Sequence, residues 1–359
     1  MPNLPPRVPA ARYGLAVENG LLERLEEGPV ICAEGYLFEC ERRGYLQAGA
    51  FVPEVVLEHP EVVASLHREF VHAGSDVVEA FTYYAHREKL RLIGRESDLE
   101  PLNRDALAIA AEVARETGAL LAGNVSNTNV FLPEDAERRA VRAMFDDQVA
   151  WAADAGVDFV IGETFSWAEE AALALEAIRE TGLPAVITIA MHQEPVTRDG
   201  RTPGDACRAL EDAGAAVVGL NCIRGPQTMM PMLRDVRAMC EGYVAALPVP
   251  YRTTDEQPTF QSLRDPHYDP PGGRPFPTAL DPFVCTRYEL GDFARDALEL
   301  GVTYIGVCCG AGPHHIRAVA EAVGRTPPAS RYSPDMAKHA FLGTDESLKP
   351  EYQDYSELL

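Results

Sequence analysis

Two adjacent thiols, Cys308 and Cys309, stand in the run Tyr304-Ile-Gly-Val-Cys-Cys-Gly-Ala-Gly-Pro-His-His-Ile-Arg317. Neighbouring residues on a strand point to opposite faces, so the pair cannot both pack into one core, and metal ligation suits it better. A third thiol comes much earlier, where the apolar run Val217-Val-Gly-Leu-Asn ends in Cys222. Three thiolates from two strand ends would leave one position of a tetrahedral Zn²⁺ open, the mark of a catalytic rather than a structural zinc site. That position would take a substrate thiol. Metal-free readings stay open: Cys308 and Cys309 could form a vicinal disulfide or a redox pair, and Cys222 alone could be a small core residue. Cys32, Cys40, Cys207, Cys240 and Cys285 stand singly, without ligand spacing.

Short apolar runs alternate with amphipathic stretches along most of the chain, the pattern of a parallel sheet buried on both faces by helices. The runs predict eight strands at 30–34, 77–81, 120–125, 158–163, 185–190, 217–222, 247–251 and 304–309. Helical stretches between them include 53–72, 103–117, 135–155 and 227–242. Eight strand-then-helix repeats make an α/β (β/α)8 TIM barrel, whose active site lies at the C-terminal ends of the strands. Glu34, Asn124, Glu163, Asn221 with Cys222, and Cys308 with Cys309 all fall at such ends, so polar groups from several strands should meet at one mouth. A doubly wound open sheet would need a glycine fingerprint after its first strand, and Glu34-Gly-Tyr-Leu-Phe is not one.

Two regions depart from the alternation. The segment 253–284, after strand seven, is rich in proline, aspartate and glycine and is long enough for a lid, a binding loop or a contact surface. Residues 1–324 are expected to form the barrel, and 325–359, with Tyr332, Phe341 and Tyr352 among several prolines, an arm that docks on a partner subunit in a homo-oligomer.

The formal net charge of −23 argues against nucleic acid or an anionic membrane as partner and leaves small molecules as the ligands. The chain has no apolar run near the length of about 18 residues that spans a bilayer, and residues 1–12 are proline-rich and polar rather than a leader. A cytoplasmic location, where thiols stay reduced, is the expectation.

Taken together, the Gly-x-Asn-Cys and Gly-x-Cys-Cys-Gly strand ends resemble the zinc site of the homocysteine S-methyltransferase family, in particular its betaine-using members. The stretches Glu58-His-Pro-Glu-Val-Val-Ala-Ser-Leu-His-Arg-Glu-Phe-Val-His-Ala-Gly-Ser75 and Phe81-Thr-Tyr-Tyr-Ala-His-Arg-Glu-Lys89 carry the likeness most specifically, within a similarity running from about Gly28 to about Ala322. The resemblance implies homocysteine and an onium methyl donor as substrates. It implies Zn²⁺ on Cys222, Cys308 and Cys309. A zinc-bound thiol loses its proton, and three cysteine thiolates keep the fourth sulfur nucleophilic.

The same resemblance makes Phe51 and Tyr84 the aromatic cage of a quaternary ammonium, since aromatic faces recognise a cation that cannot accept hydrogen bonds. Tyr84 and Glu163 are the implied catalytic residues. The resemblance also implies that Glu163 contacts the homocysteine amino group or shapes the donor pocket, and it extends substrate binding to Glu34, Asn124 and Asn221. The chain departs from the family pattern at Glu34, where aspartate is usual, at Tyr36, where a small residue is usual, at Phe51 in place of tryptophan, and at Val307 in place of glycine. A sulfonium donor such as S-methylmethionine or dimethylsulfoniopropionate is therefore the alternative to glycine betaine. A cobalamin-dependent module would need an Asp-x-His-x-x-Gly element, which the sequence lacks.

Overall fold

The computed structural model describes residues 20–353. The proline-rich start at 1–12 and the last residues of the expected arm lie outside them. Eight parallel strands close into a barrel in sequence order: β1 (Val30–Ala33), β2 (Val77–Glu79), β3 (Leu120–Ser126), β4 (Phe159–Phe165), β5 (Ala185–Ile189), β6 (Val217–Asn221), β7 (Tyr243–Leu247) and β8 (Tyr304–Val307). The closing seam is the β1–β8 pair, in register from Val30 opposite Tyr304 to Ala33 opposite Val307.

Both strand faces are apolar because one meets the barrel interior and the other the outer helices, so nearly every strand residue is buried. The interior is filled: Phe159 on β4 and Tyr304 on the opposite strand β8 meet across it, with ring centroids 6.5 Å apart in an edge-on contact. Full burial of aliphatic and aromatic side chains of this kind contributes about 1.5–3 kcal/mol each.

The TIM barrel expected from the alternation is present, with three local corrections. Strand seven runs from Tyr243 to Leu247, not over 247–251; it pairs residue for residue with β6, from Val217 opposite Tyr243 to Asn221 opposite Leu247. Pro248 and Pro250 have no N–H to give a ladder, so the chain leaves the sheet there. The stretch 53–72 is two helices, Val55–Glu58 and Pro60–Ala73, because Pro60 forces His59 out of helical geometry (φ −143°, ψ 60°). A helix that the periodicity did not suggest, Tyr36–Arg42, follows β1 directly.

The segment 253–284 is closed at its base by an antiparallel bridge between Tyr251 and Val284. After the last barrel helix, Pro313–Ala322, the chain continues in the 3₁₀ turns Pro328–Tyr332 and Met336–Lys338 and the short helix Pro350–Gln353. Arg325 fastens the root of this tail to Asp76 and to the Pro29 carbonyl, just before β2 and β1, on the side of the barrel away from the strand ends that carry the cysteines. Tyr332, Met336 and Leu342 are exposed along it. Among the described residues no helix is long and apolar enough to cross a membrane.

Candidate active site

All eight cysteines are free thiols, which removes the vicinal disulfide. The Sγ atoms of Cys222, Cys308 and Cys309 lie within 4.8 Å of one another. None of the three is on a strand. β6 stops at Asn221 and β8 at Val307, so the pair Cys308-Cys309 lies in a turn, and this is how adjacent thiols reach one point rather than opposite faces. Cys308 N donates to the Pro248 carbonyl at 2.9 Å and Ala311 N to the Cys308 carbonyl at 3.1 Å. Cys222 and Ile223 both have left-handed backbone, with φ of 56° and 59°. The guanidinium of Arg224 anchors that reversal, donating to the His192 carbonyl at 2.7 and 3.1 Å and to the Gln193 carbonyl at 2.9 Å.

Hydrogen bonds from Cys308 and Cys309 hold the Cys222 thiol well below its ordinary pKa, while burial pushes Cys308 up. Tetrahedral zinc with Zn–S bonds of about 2.3 Å sets its sulfurs about 3.8 Å apart, so three soft sulfur donors gathered this closely, with Cys222 already shifted toward the thiolate, fit that metal. His314 and His315 are not part of it: His315 Nδ1 accepts from Gly312 N at 3.2 Å and its Nε2 pairs with the Cys285 carbonyl at 3.3 Å.

Two chambers meet at the sulfurs. The inner one, about 20 Å³, is lined by Glu34, Glu79, Glu163, Asn124, Tyr36 and Cys308 among others. Two asparagines hold its acids in place. Asn124 Nδ2 donates to Glu79 at 2.5 Å and to Glu163 Oε1 at 2.7 Å. Asn221 Nδ2 donates to Glu163 Oε2 at 2.8 Å and to Glu34 Oε2 at 3.3 Å, and its Oδ1 accepts from Thr164 N at 3.0 Å. Glu163 lies within a register shift between β4 and β5, a bulge that re-aims the side chain.

Burial raises the pKa of all three carboxyls, that of Glu163 to about 7. Glu34 Oε1, Glu79 Oε2 and Asn124 Oδ1 are buried without a hydrogen-bond partner. Unsatisfied buried acceptors are costly, and acceptors gathered around one small space suit a compact cation with several N–H donors.

The outer chamber, about 220 Å³, opens beyond the sulfurs and shares Leu37, Tyr83 and Cys309 with the inner one. Its aromatic wall comes from Phe38, Phe51, Tyr84 and, from the loop after β7, Phe260 and Phe276. Among the described residues, the non-glycine positions with positive φ are Phe51, Tyr84, Asn129, Thr164, Cys222 and Ile223. All of them line this chamber. Backbone held in sparsely populated conformations concentrates where function demands it, so strain marks the same site as the thiols do.

The expected site residues thus gather at one mouth, Glu34, Asn124, Glu163 and Asn221 inside and Phe51 and Tyr84 outside. Tyr36 stands apart from Phe51, edge-on to His67 at 4.9 Å in the inner wall. Several residues escaped the sequence reading, among them Phe38, Phe260 and Phe276 of the outer wall, Glu79 and Lys89. Glu79 is an acid inside an apolar strand, and that break in the pattern was its signal. Lys89 Nζ lies 3.8 Å from the centroid of the Tyr84 ring, so a cation of the chain itself already engages that tyrosine. Nothing in the local pattern announces this contact.

A family model described as homocysteine S-methyltransferase matches residues 35–323. A betaine–homocysteine S-methyltransferase 1 of Xenopus tropicalis is 38% identical over 341 residues, covering 91% of this chain and 80% of that protein. An S-methylmethionine–homocysteine S-methyltransferase of Pongo abelii is 36% identical over 355 residues, covering 95% and 91%. Among solved structures, the metallated form of the homocysteine methyltransferase MmuM from Escherichia coli has the same fold, with a TM-score of 0.64 at 18% identity over 83% of this chain and 97% of that one.

The turn that presents Cys308 and Cys309 passes through Gly310, whose φ is 95° and whose missing Cβ makes room for the Tyr251 hydroxyl. Gly310→Ala should lower the unfolding free energy by at least about 2 kcal/mol through backbone strain and this collision. An unchanged urea midpoint would show that the turn is not confined as described.

Proposed function

The chain belongs to the homocysteine S-methyltransferase family, and we propose that it moves a methyl group from glycine betaine to the sulfur of homocysteine, with Zn²⁺ held by Cys222, Cys308 and Cys309, giving methionine and dimethylglycine. The observation that carries this reading is the junction of the chambers: the sulfurs stand between an acidic inner space and an aromatic outer one. An amino acid with a thiol at one end and an ammonium at the other suits the inner side, and an onium donor suits the outer. The metal, when bound, would supply a Lewis acid that keeps the substrate sulfur as thiolate.

The protein's own residues supply position. Glu34 and Glu163, with Glu79 beside them, take the ammonium, whose N–H groups match the unpaired Glu34 Oε1 and Glu79 Oε2. Asn124 and Asn221 keep those carboxylates in place. Phe51, with Phe38 at 5.8 Å, offers a cation face to the donor. The methyl carbon then passes in line from nitrogen to sulfur: the C–N bond breaks with its electron pair on nitrogen as the S–C bond forms, and the donor leaves neutral at that atom. Tyr84 borders the path and positions the donor through its ring edge and hydroxyl, which lies 3.4 Å from Asn129 Oδ1.

The engagement of Tyr84 by Lys89 leaves the cage for a quaternary ammonium incomplete and favours a second reading, transfer from a sulfonium such as S-methylmethionine. The Pongo abelii relative carries that donor in its name. We further propose that residues 1–324 act as the homocysteine-binding unit and that 325–359 form an oligomerisation arm, a reading supported by the exposed Tyr332, Met336 and Leu342.

Purified protein should contain about one zinc per chain, and Cys309→Ala should lose both metal and activity while remaining folded, as elemental analysis and circular dichroism would register. Zinc-free but fully active enzyme would sink the metal assignment. For the donor, Phe51→Ala should weaken glycine betaine binding by about 1–2 kcal/mol, roughly five- to thirtyfold in KM, with the homocysteine KM unmoved. Consumption of a sulfonium with no betaine turnover would transfer the assignment to the second reading. Light scattering should show an oligomer that a chain truncated after Arg325 no longer forms; an unchanged size would remove the arm.

A further inference from the structure

The helix Tyr36–Arg42 lies across the turn that follows β8 and meets it at both ends. At its start, Gly35 packs so closely on Ala311 that a Cβ there would overlap the Ala311 carbonyl oxygen. At its end, Arg42 Nη1 donates to the Gly310 carbonyl at 3.1 Å and Nη2 donates to the Tyr251 hydroxyl at 2.9 Å. Tyr251 is fully buried and separately anchored: its backbone bridges Val284, and Cys285 N donates to the adjacent Pro250 carbonyl at 2.8 Å. Its ring stacks on Phe260, with centroids 6.0 Å apart and planes at 28°, and Phe260 lines the outer chamber. Burial pushes the Tyr251 phenol up, so the hydroxyl stays neutral and can accept from the guanidinium.

The turn needs such support. Gly310 has no side chain to lock it and is among the least restricted of residues, yet it directly follows both thiols. Hydrogen bonds from Cys308 N and Ala311 N hold the backbone on either side of Cys309 and Gly310.

We propose that Arg42 and Tyr251 are a positioning pair that clamps the Gly310 turn, keeps Cys308 and Cys309 within ligation distance of Cys222, and couples that turn to the loop 253–284. The pair rests on the zinc reading above, and neither residue touches the reacting atoms. Outer groups that orient metal ligands are worth roughly ten- to hundredfold in metal affinity when removed.

The test compares wild type with Arg42→Met, which keeps the aliphatic stem and loses the donors, Tyr251→Phe, which loses only the hydroxyl, and Arg42→Lys. Zinc transfer to a chromophoric chelator should be roughly ten- to hundredfold faster in Arg42→Met and Tyr251→Phe. The sulfur-to-metal absorption of the Co²⁺-substituted protein should shift in both. Arg42→Lys, which retains a donor, should recover part of each loss, and kcat should fall in the two damaging variants with the KM for the donor unchanged. Wild-type release rates and cobalt spectra in both Arg42→Met and Tyr251→Phe overturn the clamp. Should the wild-type protein itself bind no zinc, the metal reading fails on its own. The clamp is then decided by iodoacetamide labelling of Cys309, mapped by mass spectrometry: faster labelling in both variants supports it, and an unchanged rate overturns it.

Discussion

Everything at the mouth of this barrel depends on bringing three sulfur atoms to one point from two strands that are not neighbours. β7 lies between β6 and β8, so Cys222 and the Cys308-Cys309 pair must converge over its end. They can do so because β7 stops at Leu247 and the chain turns away at Pro248, whose carbonyl receives the N–H of Cys308. Each thiol-bearing turn also passes through left-handed backbone, at Cys222 with Ile223 and at Gly310. Non-glycine residues in that region cost about 1–2 kcal/mol each, and they persist only where the surroundings over-determine them. Barrel closure is that surrounding, since it buries nearly every residue of the strands on which the turns are mounted.

The charge distribution follows from the same convergence. Thiols and carboxyls are packed together in a low-dielectric space: Glu34, Glu163 and Cys308 present ligand atoms within 4.8 Å of one another. Such a set disfavours full ionisation unless cations share the space, which is why burial and mutual repulsion raise the Glu34 and Glu79 carboxyls. The site is therefore selective by sign before it is selective by shape. The asparagines Asn124 and Asn221 hold the acids in place by donating N–H groups to their carboxylate oxygens.

Much of this was legible in the chain. Apolar runs of strand length, each followed by an amphipathic stretch, are local patterns, and they specified the barrel class and the side of it on which Glu34, Glu163, Cys222 and Cys308 would stand. Where two local signals competed, the reading slipped. Leu247-Pro-Val-Pro-Tyr251 looks apolar enough for a strand, but ladder pairing with β6 selects Tyr243–Leu247. The helix Tyr36–Arg42 was hidden because only Glu34 and Gly35 separate it from β1.

The sequence by itself determined which residue types were available, the order of the strands, and the ends at which the thiols and acids would lie. Tertiary structure alone decided who meets whom. Glu79 meets Glu163 and Asn124 across neighbouring strands, and Tyr251 meets Arg42 across a separation of 209 residues. The physical reason is one of range: periodicity and propensity report on a few neighbouring residues, whereas distances between strand ends are set by the register and closure of the whole barrel.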